Sequence, residues 1–219
     1  MKTNRFIVIA LVAFGILLFA CKGKTSKKPV PAQANQTEAV KEAPKGKYAI
    51  KSGIVEYKTT MMGMDMKQIL TFDDYGKKEV TEILMDMMGT KMHSFTLRKD
   101  GFVYAYDLVK KTGTKKPFNG SGSTSIDFEN LSQEMIKEMN LKKEGSEEFL
   151  GKTCEKMSID YQKLQMKGNF LVYKGVSLSM NTDMGTVKIN LTGEKFIENP
   201  EIPASKFEVP ADVKITESL

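Results

Sequence analysis

Tryptophan is absent from the 219-residue chain, histidine occurs once and cysteine twice. A lone histidine, His93, excludes a His-based metal signature and leaves a hydrolytic triad with a single candidate base. Neither a nucleophile elbow nor a phosphate-binding Gly loop is found. The longest apolar run, residues 6–19, is shorter than the roughly 20 residues a membrane-spanning helix requires. The two cysteines, Cys21 and Cys154, permit at most one disulfide. What the chain has in excess is methionine, with 15 residues.

The apolar run follows Lys2 and Arg5 and ends at Leu18-Phe19-Ala20-Cys21, the organisation of a secretory signal. These four residues resemble the lipobox of bacterial lipoproteins. The resemblance implies diacylglycerol on the Cys21 sulfur, cleavage before Cys21 and an acylated new N-terminus. The alternative is an uncleaved anchor with an incidental cysteine. Two or more acyl chains give stable membrane attachment where one is marginal. Lys22 follows the cysteine, where many lipoproteins retained at the inner membrane carry Asp, so the expected home is the outer membrane of a Gram-negative envelope, facing the periplasm.

Residues 22–50 are rich in Lys, Pro, Gln and Asn, with Val30, Val40 and Ile50 as their large aliphatics. Such a composition buries too little apolar surface to offset ordering and reads as a disordered tether. Fully extended it spans about 100 Å, and as a coil about 30 Å. Seven of its residues are Lys, against Glu38 and Glu42, so most of the +6 formal charge lies here and in the signal. The remaining chain is close to neutral, which gives a nucleic-acid partner no support. The expected division is therefore a signal peptide over 1–20, a lipidated tether over 21–50 and one domain over 51–219. With Cys21 lipidated, Cys154 has no intramolecular partner and reads as a small buried hydrophobe.

Within 51–219 the dominant pattern is period-2 alternation in short runs divided by turn residues. Val55, Tyr57, Thr59 and Met61 form one such face; Phe102, Tyr104, Tyr106 and Leu108 form another. Asp73-Asp74-Tyr75-Gly76, Asp100-Gly101, Lys174-Gly175 and Asp183-Met184-Gly185 mark reversals. Short connections predict antiparallel pairing throughout, with about five strands before residue 111 and nine to eleven in all. Residues 111–125 read as a polar loop. A helix capped by Ser132 follows, with Leu131 and Ile136 as a hydrophobic staple and Leu131, Met135, Ile136 and Met139 as its apolar stripe. Pro200, Pro203 and Pro210 predict an irregular C-terminal stretch anchored by Phe207 and Val209. The fold class is α+β and mostly β: a large antiparallel sheet, big enough to curl, with one main helix.

A lipobox, a long meander, one central helix and further hairpins ending in Phe207-Glu208-Val209-Pro210 resemble the LolA/LolB-like half-barrel superfamily. Several phrases, among them Ser52-Gly53-Ile54-Val55-Glu56-Tyr57-Lys58, Phe72-Asp73-Asp74-Tyr75-Gly76 and Leu150-Gly151-Lys152-Thr153-Cys154, are similar to an envelope lipoprotein family bearing a domain of unknown function. The half-barrel resemblance implies a sheet bent around an apolar cavity that holds acyl chains.

The expected function is non-enzymatic: a tethered lipoprotein binding an acyl chain, a lipid or another lipoprotein, without a cofactor. The candidate lining is Tyr57, Phe72, Phe95, Leu97, Tyr104 and Tyr106, taken from the more apolar strand faces. A second reading rests on methionine density between residues 61 and 92. Met62, Met64, Met85 and Met87, on strands that would face each other, together with His93, offer soft donors suited to Cu(I). Against it, Met is an adaptable filler of cores and apolar grooves. A structural or accessory lipoprotein with a filled core is the third.

Overall fold

The computed structural model describes residues 46–87, 89–118 and 126–218. The expectations for Cys21, the signal and most of the tether lie outside these residues. Twelve strands form one sheet, open and curved, not closed into a barrel. The first six make a meander: β1 (Gly53–Met61), β2 (Met64–Asp73), β3 (Lys78–Met87), β4 (Thr90–Lys99), β5 (Phe102–Asp107) and β6 (Thr112–Pro117). A six-residue helix, α1 (Gln133–Glu138), leads into β7 (Lys142–Phe149), β8 (Lys152–Tyr161), β9 (Met166–Tyr173), β10 (Val176–Met184) and β11 (Val187–Glu198). The chain ends in β12 (Lys214–Glu217). In space the order is β12-β6-β5-β4-β3-β2-β1-β11-β10-β9-β8-β7, so the two meanders join where β1 pairs β11.

The turns form where the sequence placed them. Asp100 and Gly101 both have positive φ, 51° and 76°, the geometry that matches a two-residue hairpin to strand twist. Ser132 caps α1 by accepting from the Met135 amide at 3.2 Å. Met139, just beyond α1, is buried, and its carbonyl accepts from the Asp160 amide on β8 at 3.0 Å. Met135 does not join the predicted stripe: it is 47% exposed, because the six-residue helix buries none of its own residues and the packing falls to Leu131 and Met139 on either side of it.

Four expectations are corrected. The polar stretch after residue 111 is not all loop, since Thr112–Pro117 is strand β6, held between β5 and β12. β12 pairs with it in parallel, so the pairing is not antiparallel throughout. The long excursion after β11 supplies the connection that parallel pairing demands. Among the described residues there are twelve strands, one more than the nine to eleven expected, because β6 and β7 carry no apolar alternation. Finally, the domain begins before residue 51: Lys47, Tyr48 and Ile50 are buried.

Candidate functional site

Residues directly opposite each other on neighbouring strands share a sheet face. The register places Leu70, Thr81, Thr96, Ala105 and Thr114 in one row across β2 to β6, with Phe72, Glu79, Arg98 and Val103 in the adjoining row of the same face. The next residue along each strand points the other way. Thr71, Val80, Leu97 and Tyr104 therefore form a row on the opposite face, as do Glu82, Phe95 and Tyr106.

That second face is sealed by the C-terminal segment. Ile202, Phe207, Val209, Val213 and Ile215 pack over Val80, Leu97, Tyr104 and Tyr106. Phe95 and Tyr106 stack in parallel with ring centroids 5.0 Å apart. Lys206 reaches Glu82 at 3.0 Å and Lys99 reaches Glu208 at 2.7 Å, pinning the segment at two points. The approach is close enough to specify glycine at 113, where a Cβ would lie 2.5 Å from that of Tyr106 and 2.9 Å from Ile215.

Among the described residues, the first face stays largely uncovered over β3 to β6. Thr96, Ala105 and Thr114 are exposed, while Leu70, Thr81, Ile83 and Val103 are half-buried. One end of it is plugged by residues 46–50. There Tyr48 packs on Phe72 with centroids 4.1 Å apart, and its backbone amide donates to the Tyr75 carbonyl at 3.1 Å. Beneath lies a charged group that sequence reading missed. Glu79 accepts from Lys47 Nζ at 2.7 Å and from the Tyr48 hydroxyl at 2.6 Å, with Arg98 at 3.5 Å. Arg98 donates in turn to the Gly76 carbonyl at 2.6 Å. Burial works to raise the Glu79 pKa, but the charges of Lys47 and Arg98 and the two hydrogen bonds outweigh it and hold the carboxyl below its usual range. Burial pulls Lys47 down, and the attraction of Glu79 offsets this in part. Burial also raises the Tyr48 phenol well above its ordinary value. The signal available in the sequence was the alternation of Tyr48 and Ile50 within an otherwise polar stretch.

The six candidate lining residues thus divide between the faces. Tyr57 and Phe72 lie on the first but are core residues: Phe72 is 0% exposed, and the Tyr57 hydroxyl donates to the Ser177 carbonyl at 2.8 Å. Phe95, Leu97, Tyr104 and Tyr106 lie on the second, under the C-terminal segment. No single pocket is lined by all six. A shallow depression of about 330 Å³ is lined by one of the six, Tyr57, together with Met66, Met85, Leu84, the carboxylates of Asp65, Asp86 and Glu194, and Lys58 and Lys67.

The candidate metal ligands divide as well. Met62 sits in the β1–β2 turn and is 64% exposed. Met64 pairs with Met61, Met85 with Met92, and Met87, at the end of β3, with Thr90. His93 pairs with Leu84, which puts it on the face opposite Met85. Its Nε2 lies 2.6 Å from Glu82 Oε1, and its ring rests 4.8 Å from that of Phe95. His93 therefore belongs to the sealed layer, apart from the thioethers. Cys154 is fully buried, and burial followed by the nearby Glu148 and Glu147 charges pushes its thiol up, away from nucleophilic use.

No protein-family model matches the chain, and no curated protein matches its sequence. Solved structures do match in fold. An uncharacterised conserved protein from Thermus thermophilus aligns with TM-score 0.54 at 12% identity, over 77% of this chain and 91% of that one. The Pseudomonas aeruginosa MucA/MucB complex aligns with TM-score 0.48 at 8% identity, over 75% of this chain and 58% of that one. An outer membrane lipoprotein-sorting protein domain from Vibrio parahaemolyticus aligns with TM-score 0.24 at 12% identity, over 72% of this chain and 89% of that one. The Thermus structure carries the likeness: this chain shares an open, curved antiparallel sheet with a protein of known structure and undefined role.

Proposed function

We propose that the chain is a non-enzymatic envelope lipoprotein, tethered through Cys21 at the outer membrane, whose uncovered sheet face binds an extended apolar ligand such as an acyl chain. The observation that supports this is the floor of small residues, Thr81, Thr96, Ala105 and Thr114, running across four strands. Small side chains there leave depth above the sheet, and Leu70, Ile83 and Val103 beside them supply apolar contact. The opposite face has its own cover in the C-terminal segment; this one has its apolar residues and Thr81 half-buried and the rest of its floor, Thr96, Ala105 and Thr114, exposed. The candidate lining moves accordingly, from the aromatic residues of the sealed layer to this row.

The test is native mass spectrometry of residues 22–219 secreted in a Gram-negative host. A co-purified lipid mass is expected, and Thr96→Trp or Ala105→Trp, which fill the floor from exposed positions, should remove it while leaving the unfolding midpoint in place. Recovery of the ligand on both Trp variants, or of no ligand on the parent, overturns the proposal.

A further inference from the structure

Methionines in this molecule differ in what surrounds them, a difference that the sequence does not show. Met139, Met157, Met166 and Met180 belong to hydrophobic clusters and fill space among Phe, Ile, Leu and Val. Met66, Met85 and Met92 belong to none of the three clusters, although Met66 is buried and the other two are half-buried. The register sets these three side by side. Met85 is directly opposite Met92. The β2–β3 ladder ends with Lys67 opposite Leu84, and Met66 and Met85, each one residue beyond that pair, border one depression.

We infer that Met66, Met85 and Met92 form a thioether site for a soft monovalent metal ion, Cu(I) or Ag(I). Three adjacent strands place the outer Cα atoms about 10 Å apart with Met85 midway. Each side chain has three rotatable bonds, so two outer sulfurs can lean toward the central one and share an ion above it. Thioethers are uncharged and polarisable, donors that suit Cu(I) better than Zn(II) or Mg(II); Asp65, Asp86 and Glu194 line the same depression and are the hard donors the three sulfurs must outcompete. The site excludes His93, which the register turns to the opposite face and which Glu82 engages at 2.6 Å. It also excludes Met62, which is solvent-exposed in its turn. The inference is independent of the lipid reading: it concerns the Met66–Met85–Met92 row, not the Thr81–Thr114 floor.

The test uses the full-length lipoprotein in non-ionic detergent, titrated with Cu(I) under anaerobic conditions against a chromogenic Cu(I) chelator. The methionine methyl resonances are followed in parallel by NMR. One Cu(I) per chain is expected, with the shifts confined to three methyl groups. Met85→Leu, which removes the central donor, should abolish binding; Met66→Leu and Met92→Leu should each weaken it. His93→Ala, Met62→Leu and Met135→Leu should leave it unchanged. Met→Leu conserves volume, and an unchanged unfolding midpoint shows that each variant folds. Cu(I) binding that survives in the triple Leu variant, or that is lost in the His93 or Met62 variant, overturns the assignment, as does a parent that takes up no Cu(I).

Discussion

The two faces of β2 to β6 are written in the same alternating code, and only one of them is closed. On the sealed face Val80 and Leu97 are almost without exposure under Phe207 and Val213. On the other, Thr96 stands in solvent one residue from Leu97 on β4, and Ala105 one residue from the buried Tyr106 on β5. The difference does not arise within the strands. It arises from residues 200–217, which cross one face, and from residues 46–50, which plug only one end of the other. Burial here is set by where distant chain returns, and a face left without a returning segment is the one available to something else.

Breaking the plug should have the largest effect. Glu79→Gln leaves Lys47 and Arg98 buried without their counter-charge and is expected to destabilise the domain by about 3–5 kcal/mol, read from urea unfolding. A loss below about 1 kcal/mol would show that residues 46–50 are not held by this pair. Next is the sealed layer itself, where Leu97→Ala, at a fully buried position, should cost about 2–5 kcal/mol. Acid should act more gently. Glu198 is partly buried, which alone would raise its pKa, yet hydrogen bonds from Lys152 and Lys174 with the Lys174 charge hold it at about 2. A carboxyl whose folded pKa lies below its unfolded value stabilises above the unfolded value. Its contribution is therefore complete above about pH 4.5 and is lost as pH falls toward about 2. Glu198→Gln should flatten the stability profile in that window, and an unaltered slope would show that the pair is screened. The smallest effect belongs to the open face: Thr96→Ala should change stability by no more than about 0.5 kcal/mol. A larger loss would mean that the floor is packed against something after all.

Much of this architecture was readable from the residues alone. Asp100-Gly101 and Lys174-Gly175 turn as their chemistry requires, and the Ser132 cap starts the helix. The strands with one covered face, such as β1 and β10, announce themselves by alternation. β6 and β7 do not, because Thr112–Pro117 and Lys142–Phe149 are mostly exposed along their length and carry no apolar period to detect. Their pairing is backbone hydrogen bonding, and the one side-chain choice it visibly dictates is Gly113, beneath Tyr106 and Ile215. The candidate lining could not be resolved for a related reason. Alternation tells which residues share a face within one strand, but Phe72 and Leu97 are placed on opposite faces by the β2–β3–β4 register. Lys47 and Tyr48 were hidden by averaging, since the composition of a long polar stretch outweighed two buried residues at its end.

The parallel pairing of β12 with β6 also fixes an order of events. The last strand of the chain completes the edge of a sheet whose neighbouring strand lies about a hundred residues earlier, with Lys214 opposite Thr112. Contacts of such separation are slow to form because the intervening chain must be ordered first. A chain that folds from its N-terminus presents the meander with its β6 edge unpaired and the Val80–Leu97–Tyr106 layer bare until residues 200–217 arrive. Such an edge, beside an apolar face, is a template for pairing with other chains. Return of residues 200–217, more than collapse of any one hairpin, is then the moment at which the sheet becomes safe from its neighbours.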